Sequence, residues 1–148
     1  MKPVVIDLDA TLPGPPDVVW RLITDWENQH LWMREASGFR VTSPQREGVG
    51  VEAMATIRVA GIGTRDPIRV DIWEPQRRLG IEHRGWVEGR GDLTLERAGE
   101  TTRLHWREEL HPPWGILGAI GLRLYRPILA RTFRRDLSLL AELVRKAS

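Results

Sequence analysis

From Phe39 to Leu110 apolar and polar residues alternate with a period of two, most cleanly from Val51 onward, through segments joined by short turns. Val51, Ala53, Ala55, Ile57 and Val59 alternate with Glu52, Met54, Thr56 and Arg58. Ile68, Val70 and Ile72 alternate with Arg69, Asp71 and Trp73, and Leu79 and Ile81 with Gly80 and Glu82. Leu93 and Leu95, then Leu104, Trp106 and Leu110, continue the pattern. Each segment therefore has one apolar face, as an antiparallel sheet covered on one side requires. The joints fall at Gly61–Gly63, Glu74–Arg78, Gly85–Gly91 and Ala98–Glu100, and joints this short favour hairpins over crossover helices.

Both ends of the chain break that period. Residues 3–11 read as a strand, with Val4, Ile6 and Leu8 on one face. Pro13, Gly14, Pro15 and Pro16 end it. Asp17 is expected to cap a short helix carrying Val18, Val19, Leu22 and Ile23, and a second short helix is expected from Asp25 to about Met33. After Pro112 and Pro113 the spacing becomes three and four: Leu122, Tyr125, Leu129, Phe133, Leu137, Leu140 and Val144. Pro127 is expected to divide this stretch, leaving a main helix of about 20 residues, or roughly 30 Å. The expected class is α+β: a curved antiparallel sheet of about seven strands wrapped around a long C-terminal helix, in a single domain over 1–148. One helix cannot fill such a sheet without bulky side chains or a cavity, and Ala53 and Ala55 are small.

Composition excludes several chemistries. The 148 residues contain no cysteine, so thiol nucleophiles, disulfides and thiolate metal sites are absent. The net charge of +2 is too small an excess to argue for nucleic acid. Histidine spacing suggests no metal site, and no glycine-rich phosphate loop is present, so no cofactor is expected. The N-terminal MKPVVIDLDA carries acids where a signal peptide needs an apolar core, and a cytoplasmic location is the default expectation.

Three segments resemble the START-like (SRPBCC) superfamily of helix-grip proteins, which includes polyketide cyclases and lipid-transfer domains. The first runs Ala10-Thr11-Leu12-Pro13-Gly14-Pro15-Pro16-Asp17-Val18-Val19-Trp20 and on to Asp25-Trp26. The second joins Gly48-Val49-Gly50-Val51 to Val70-Asp71-Ile72-Trp73-Glu74-Pro75-Gln76-Arg77-Arg78-Leu79. The third is Phe133-Arg134-Arg135-Asp136-Leu137-Ser138-Leu139-Leu140. The resemblance implies a deep cavity between sheet and helix for a hydrophobic small molecule of polyketide, lipid or isoprenoid type. It fixes no activity, because one fold hosts many. The inward positions expected to line such a cavity are Ala53, Ala55, Ile57, Val70, Ile72, Ile81, His83, Leu93, Leu95, Trp106 and Glu108 from the sheet, with Leu124 and Ile128 from the helix.

Two of these are out of character. His83 continues the Leu79, Ile81 parity and Glu108 continues that of Leu104 and Trp106. A carboxylate and an imidazole on a covered face cost several kcal/mol unless paired. Facing one cavity, they would form an acid–base pair suited to cyclase, aromatase or dehydratase chemistry on a carbonyl ligand. The ordinary alternative places each at a strand end, bonded to backbone or water. Trp106 and Trp86 are candidates to stack on a flat ligand, and Trp26 and Trp32 either close the pocket or anchor the short helices in the core. His111 and Trp114 are candidates for the rim; His30 and His105 read as surface residues.

Gly115, Gly118 and Gly121 punctuate an apolar stretch, which reads either as a mobile gate or as a closely packed helix. Arg123, Arg126, Arg131, Arg134 and Arg135 flank it. They suit docking on an anionic membrane, or a solvated face paired with Asp136 and Glu142, the ordinary expectation for a helix surface. Three functions remain in play: a carrier of a hydrophobic small molecule, an enzyme using His83 and Glu108, and an interaction module that is dimeric through residues 114–125. A monomer and a homodimer are both compatible with the sequence.

Overall fold

The computed structural model describes residues 2–59 and 61–148. Seven strands form one antiparallel sheet in the order β1-β7-β6-β5-β4-β3-β2. They are β1 (Val4–Leu12), β2 (Ala36–Val41), β3 (Glu52–Val59), β4 (Ile62–Glu74), β5 (Arg78–Arg84), β6 (Glu88–Ala98) and β7 (Thr101–His111). Between β1 and β2 stand α1 (Pro16–Ile23) and a 3-10 helix (Trp26–Leu31), and α2 (Gly115–Ala147) closes the chain. This is the α+β order that the alternating periods imply, in the helix-grip arrangement that the resemblance implies.

The helix starts show how local chemistry sets boundaries. Pro16 occupies the first turn of α1, where its missing N–H is no loss, so Pro15 rather than Asp17 is the N-cap. Asp17 sits inside the first turn, where its charge suits the helix dipole. The expected second helix is a 3-10 helix pinned by the buried Gln29, whose Nε2 donates to the Ile23 carbonyl at 2.9 Å.

Pro127 does not divide the C-terminal helix, which runs unbroken for 33 residues. A proline inside a helix costs about 3 kcal/mol, and tertiary contacts on both sides of it offset that here. Ala119 is buried before it, while Ala130, Phe133, Leu137, Leu140 and Val144 are buried after it. Arg126 also donates to the Val5 carbonyl at 2.8 Å, tying α2 to the free edge of β1. The segment read as gate or packed helix forms the first turns of α2. There the Pro113 carbonyl lies so close that a Cβ at position 118 would overlap it, at 1.4 Å, and glycine alone fits.

The concave face of the sheet has two unlike ends. At one, Leu12, Ile23, Val51, Val70, Leu79 and Leu104 pack with Leu140 and Val144 and are essentially inaccessible. Toward the β5–β6 turn the same face is only partly covered, with Ile57, Ile81 and His83 half-buried. The convex face is laced by ion pairs, including Arg78–Asp92 at 2.7 Å and Arg107–Asp7 at 2.9 Å. His105 lies on that face between Asp7 and Asp9, at 3.0 and 2.8 Å.

One expected inward residue is turned outward. The register of β4 on β5 shifts between Val70 and Ile72, so that Ile72 pairs with outward Gly80 and Trp73 with inward Leu79. A bulge places two successive residues on one side, and every later side chain changes face. Ile72 therefore leaves the concave face, and Trp73 enters the core edge-on to Trp20, with ring centroids 5.1 Å apart.

Candidate functional site

The partly covered end of the concave face carries a row of three polar side chains. His83 Nδ1 lies 2.9 Å from Asp66 Oδ2, and His83 Nε2 lies 3.2 Å from Glu108 Oε2. Asp66 Oδ1 accepts the Gly85 N–H at 3.1 Å, and Glu108 Oε1 accepts the Trp106 indole N–H at 2.9 Å. Both carboxylates are thus held on both oxygens, and the imidazole bridges them.

The sheet register explains why these side chains meet. His83 faces Ile68 on β4 and Gly89 on β6, while Glu108 faces Gly91 on β6. β6 lies between β5 and β7, and its two glycines leave no side chain to separate histidine from glutamate. At Gly91 a Cβ would come within 2.5 Å of Glu108 Oε1. Gly91→Ala is accordingly expected to displace the carboxylate and break its contact with His83, lowering stability by about 1–3 kcal/mol in urea denaturation, the cost of a disturbed buried polar group.

The electrostatics follow from this geometry. Burial disfavours a charged imidazole, but the Glu108 charge and the hydrogen bonds that His83 donates to Asp66 and Glu108 outweigh it and push His83 up to about 10. His83 is therefore an imidazolium at neutral pH, donating from both nitrogens. The row holds one cation between two anions, in a wall otherwise made of Ala53, Ala55, Ile57, Ile68 and Ile81. Among the described residues no group of three His, Cys, Asp or Glu side chains converges as a metal site.

The remaining expected positions divide. Ala53, Ala55, Val70, Leu93, Leu95 and Trp106 are buried on the concave side, Leu95 and Val70 at its filled end. Leu124 and Ile128 do not face it: they are 76% and 51% exposed. At about 100° per residue they fall roughly 120° or more around α2 from its buried apolar residues. Trp106 is engaged by two rings, stacked on Phe133 at 4.7 Å and edge-on to Trp32 at 6.1 Å, and is 3% exposed, so it serves as core. Trp26 and Trp32 are each 2% exposed, in keeping with the core reading. Trp86 pairs with Trp114 at 4.9 Å, both largely exposed, and His111 is exposed as well.

Asp66 was not among the expected site residues. Its parity with Ile68 and Val70 is the signal that could have found it, but Pro67 reads as the start of a strand rather than its interior. Two surface clefts, of about 570 and 430 Å³, lie elsewhere. One is lined by Trp26, Arg46 and Trp73, the other by convex-face residues such as Asp9 and Arg78, and neither reaches His83.

A long C-terminal helix gripped by a seven-stranded antiparallel sheet defines the START-like fold. Residues 3–145 match the family model described as polyketide cyclase / dehydrase and lipid transport, and the chain belongs to that family. Solved structures agree on the fold. TTHA0849 from Thermus thermophilus superposes with a TM-score of 0.84 at 20% identity, over 98% of this chain and 99% of that one. The Zhui aromatase/cyclase from Streptomyces sp. R1128 gives 0.81 at 17% identity, over 99% and 96%. A START superfamily protein from Mycobacterium smegmatis gives 0.74 at 12% identity, over 97% and 99%. An uncharacterized protein of Mycobacterium tuberculosis is 25% identical over 80 residues, and the match spans about half of each chain, 54% of this one and 56% of the relative.

Proposed function

We propose that this chain, acting as one domain, binds an apolar or aromatic small molecule carrying one carbonyl or hydroxyl oxygen, of polyketide, lipid or isoprenoid type. The observation that carries the reading is the uneven cover of the concave face. Its far end is packed, while Ile57, Ile81 and His83 remain partly accessible beside small Ala53 and Ala55. Apolar walls with a few fixed polar groups are what a small-ligand site needs. With both His83 N–H groups engaged by Asp66 and Glu108, a ligand hydroxyl would donate to one of the carboxylate oxygens, and a ligand carbonyl would lie against the imidazolium charge. The family description and the fold support a ligand of this class.

Native mass spectrometry of the purified protein, followed by extraction of whatever it holds, tests the proposal. A co-purifying hydrophobic molecule, or saturable uptake of a fluorescent fatty acid or polyaromatic probe, is the expected result. Ile57→Trp, which places a bulky ring at the accessible end, is expected to weaken uptake about tenfold or more while leaving the circular dichroism unchanged. A wild-type protein that neither retains nor takes up any such molecule would overturn the reading.

The contact between His83 and Glu108 favours a second reading, acid–base catalysis on the same ligand class. With His83 protonated at neutral pH, it would be the acid, and Glu108 or Asp66 the base. Turnover of a carbonyl-bearing ligand that disappears in Glu108→Gln while binding persists would support it; an unaltered ligand after prolonged incubation counts against it.

A further inference from the structure

The first half of α2 bears a second feature, separate from the concave face. Trp114, Ile116, Leu117, Ile120, Leu124 and Ile128 are between 51% and 80% exposed. The five on the helix itself fall, at about 100° per residue, within one arc of roughly 120°. Trp114 and its partner Trp86 extend the patch onto the β5–β6 turn. Isolated exposed apolar residues are ordinary, but a contiguous row of this kind marks a surface that meets another phase or partner.

Charge identifies the occupant. From Pro112 to Arg135 the sequence contains five arginines and no acidic residue. Arg123 and Arg131 lie within or beside the apolar arc, and Arg134 and Arg135 continue it toward the C-terminus. The expected pairing with Asp136 and Glu142 is largely absent. Arg135 approaches Asp136 at 3.7 Å and Glu35 at 3.9 Å, whereas no ion pair is formed by Arg123, Arg131 or Arg134 among the described residues. An apolar helix face with exposed tryptophan and unpaired arginines matches the interface of an anionic bilayer, where rings sit among headgroups and guanidinium groups meet phosphates. A two-fold dimer through the same face is a poor fit, because it would set these arginines against their own copies. Among the described residues no helix is long and apolar enough to cross a membrane, so the contact is one of surface docking.

We propose that α2 from Trp114 to Arg135, together with Trp86, docks the protein on anionic phospholipid membranes. The proposal stands whether or not the concave face holds a ligand.

The test uses the full chain and vesicles of phosphatidylglycerol mixed with phosphatidylcholine, against pure phosphatidylcholine. Co-sedimentation with the anionic vesicles and a blue-shifted tryptophan emission are expected, with neither on neutral vesicles. Binding should weaken roughly tenfold or more at about 0.5 M salt, where the Debye length falls well below that at physiological ionic strength. Leu117→Gln/Leu124→Gln, both at exposed positions, should reduce binding about tenfold without changing the thermal midpoint. Three outcomes would overturn the proposal: a protein that stays in solution with anionic vesicles at low salt; binding unaffected by the double glutamine variant; or a stable dimer that the same variant dissociates, which would make a second copy the occupant.

Discussion

Replacing His83 with alanine is expected to lower stability by about 2–4 kcal/mol, more than a cavity of that size alone would explain. The substitution leaves Asp66 and Glu108 facing each other's charge across a partly covered apolar wall, with two hydrogen bonds lost. Removing one partner of a buried ionic group typically costs about 3–5 kcal/mol, and the 22% exposure of the His83 side chain moves the expectation below the top of that range. The decisive comparison is with His83→Ala/Glu108→Gln. The amide removes one stranded charge and keeps an acceptor for the Trp106 indole, so the double variant should be more stable than His83→Ala alone. Urea denaturation of wild type, His83→Ala, Glu108→Gln and the double variant at pH 7 reads this directly. Additive losses would mean that the imidazolium and Glu108 do not act as a pair. The same His83→Ala protein should also retain less of any oxygen-bearing ligand.

Stability should fall steadily from mildly acidic to alkaline pH, and Glu35→Gln should remove a large part of that slope. Glu35 and Asp136 are buried together where the chain entering β2 meets α2. Asp136 Oδ1 accepts the Arg34 N–H at 3.3 Å, but Asp136 Oδ2 and both Glu35 oxygens have no donor. A proton on Glu35 shared with Asp136 Oδ2 gives two of these three oxygens a partner. Burial first, and then the neighbouring Asp136, pushes Glu35 up to about 9 from 4.5, and burial likewise raises Asp136. His83, pushed up to about 10 from 6.5, acts in the same sense.

In both cases the native state keeps a proton that the unfolded chain has released. Their stabilisation is complete below the unfolded values and is lost as pH rises through the folded ones. Glu35 therefore acts between about pH 4.5 and 9, and His83 between about 6.5 and 10. In Glu35→Gln the amide supplies the missing donor to Asp136 at every pH. We expect it to be about 1–2 kcal/mol more stable than wild type at pH 8, with the residual slope above pH 6.5 belonging to His83 and, more weakly, to the convex-face His105, which its hydrogen bond to Asp9 also raises. Urea midpoints at pH 5, 7 and 9 measure both effects. A wild-type stability that rises toward pH 9 would contradict the shared proton.

What could be read from the sequence was whatever repeats locally. Strand alternation depends on the pleat and a helix stripe on 3.6 residues per turn, so β3, β5, β6, β7 and the Phe133–Val144 face of α2 were legible. His83 and Glu108 stood out for the same reason, as polar residues in apolar positions. Ile72 was misplaced because a single bulge, invisible to periodicity, turns everything after it. Asp66 was hidden behind Pro67.

Leu124 and Ile128 show the limit of hydrophobicity as a guide. An apolar side chain says that it avoids water, not which neighbour will cover it. Their own spacing from Leu122 and Leu129 already set them around the helix from the packed stripe. The partners of His83, the pairing of Glu35 with Asp136 and the engagement of Trp106 with Phe133 were decided only in three dimensions. Each joins residues far apart in the chain, and no local period records such a meeting. The alternation of side chains determined that a sheet would present one apolar face to one helix. Strand register, two glycines in β6 and the angle of α2 decided which part of that face is filled, which stays open, and which charges meet there.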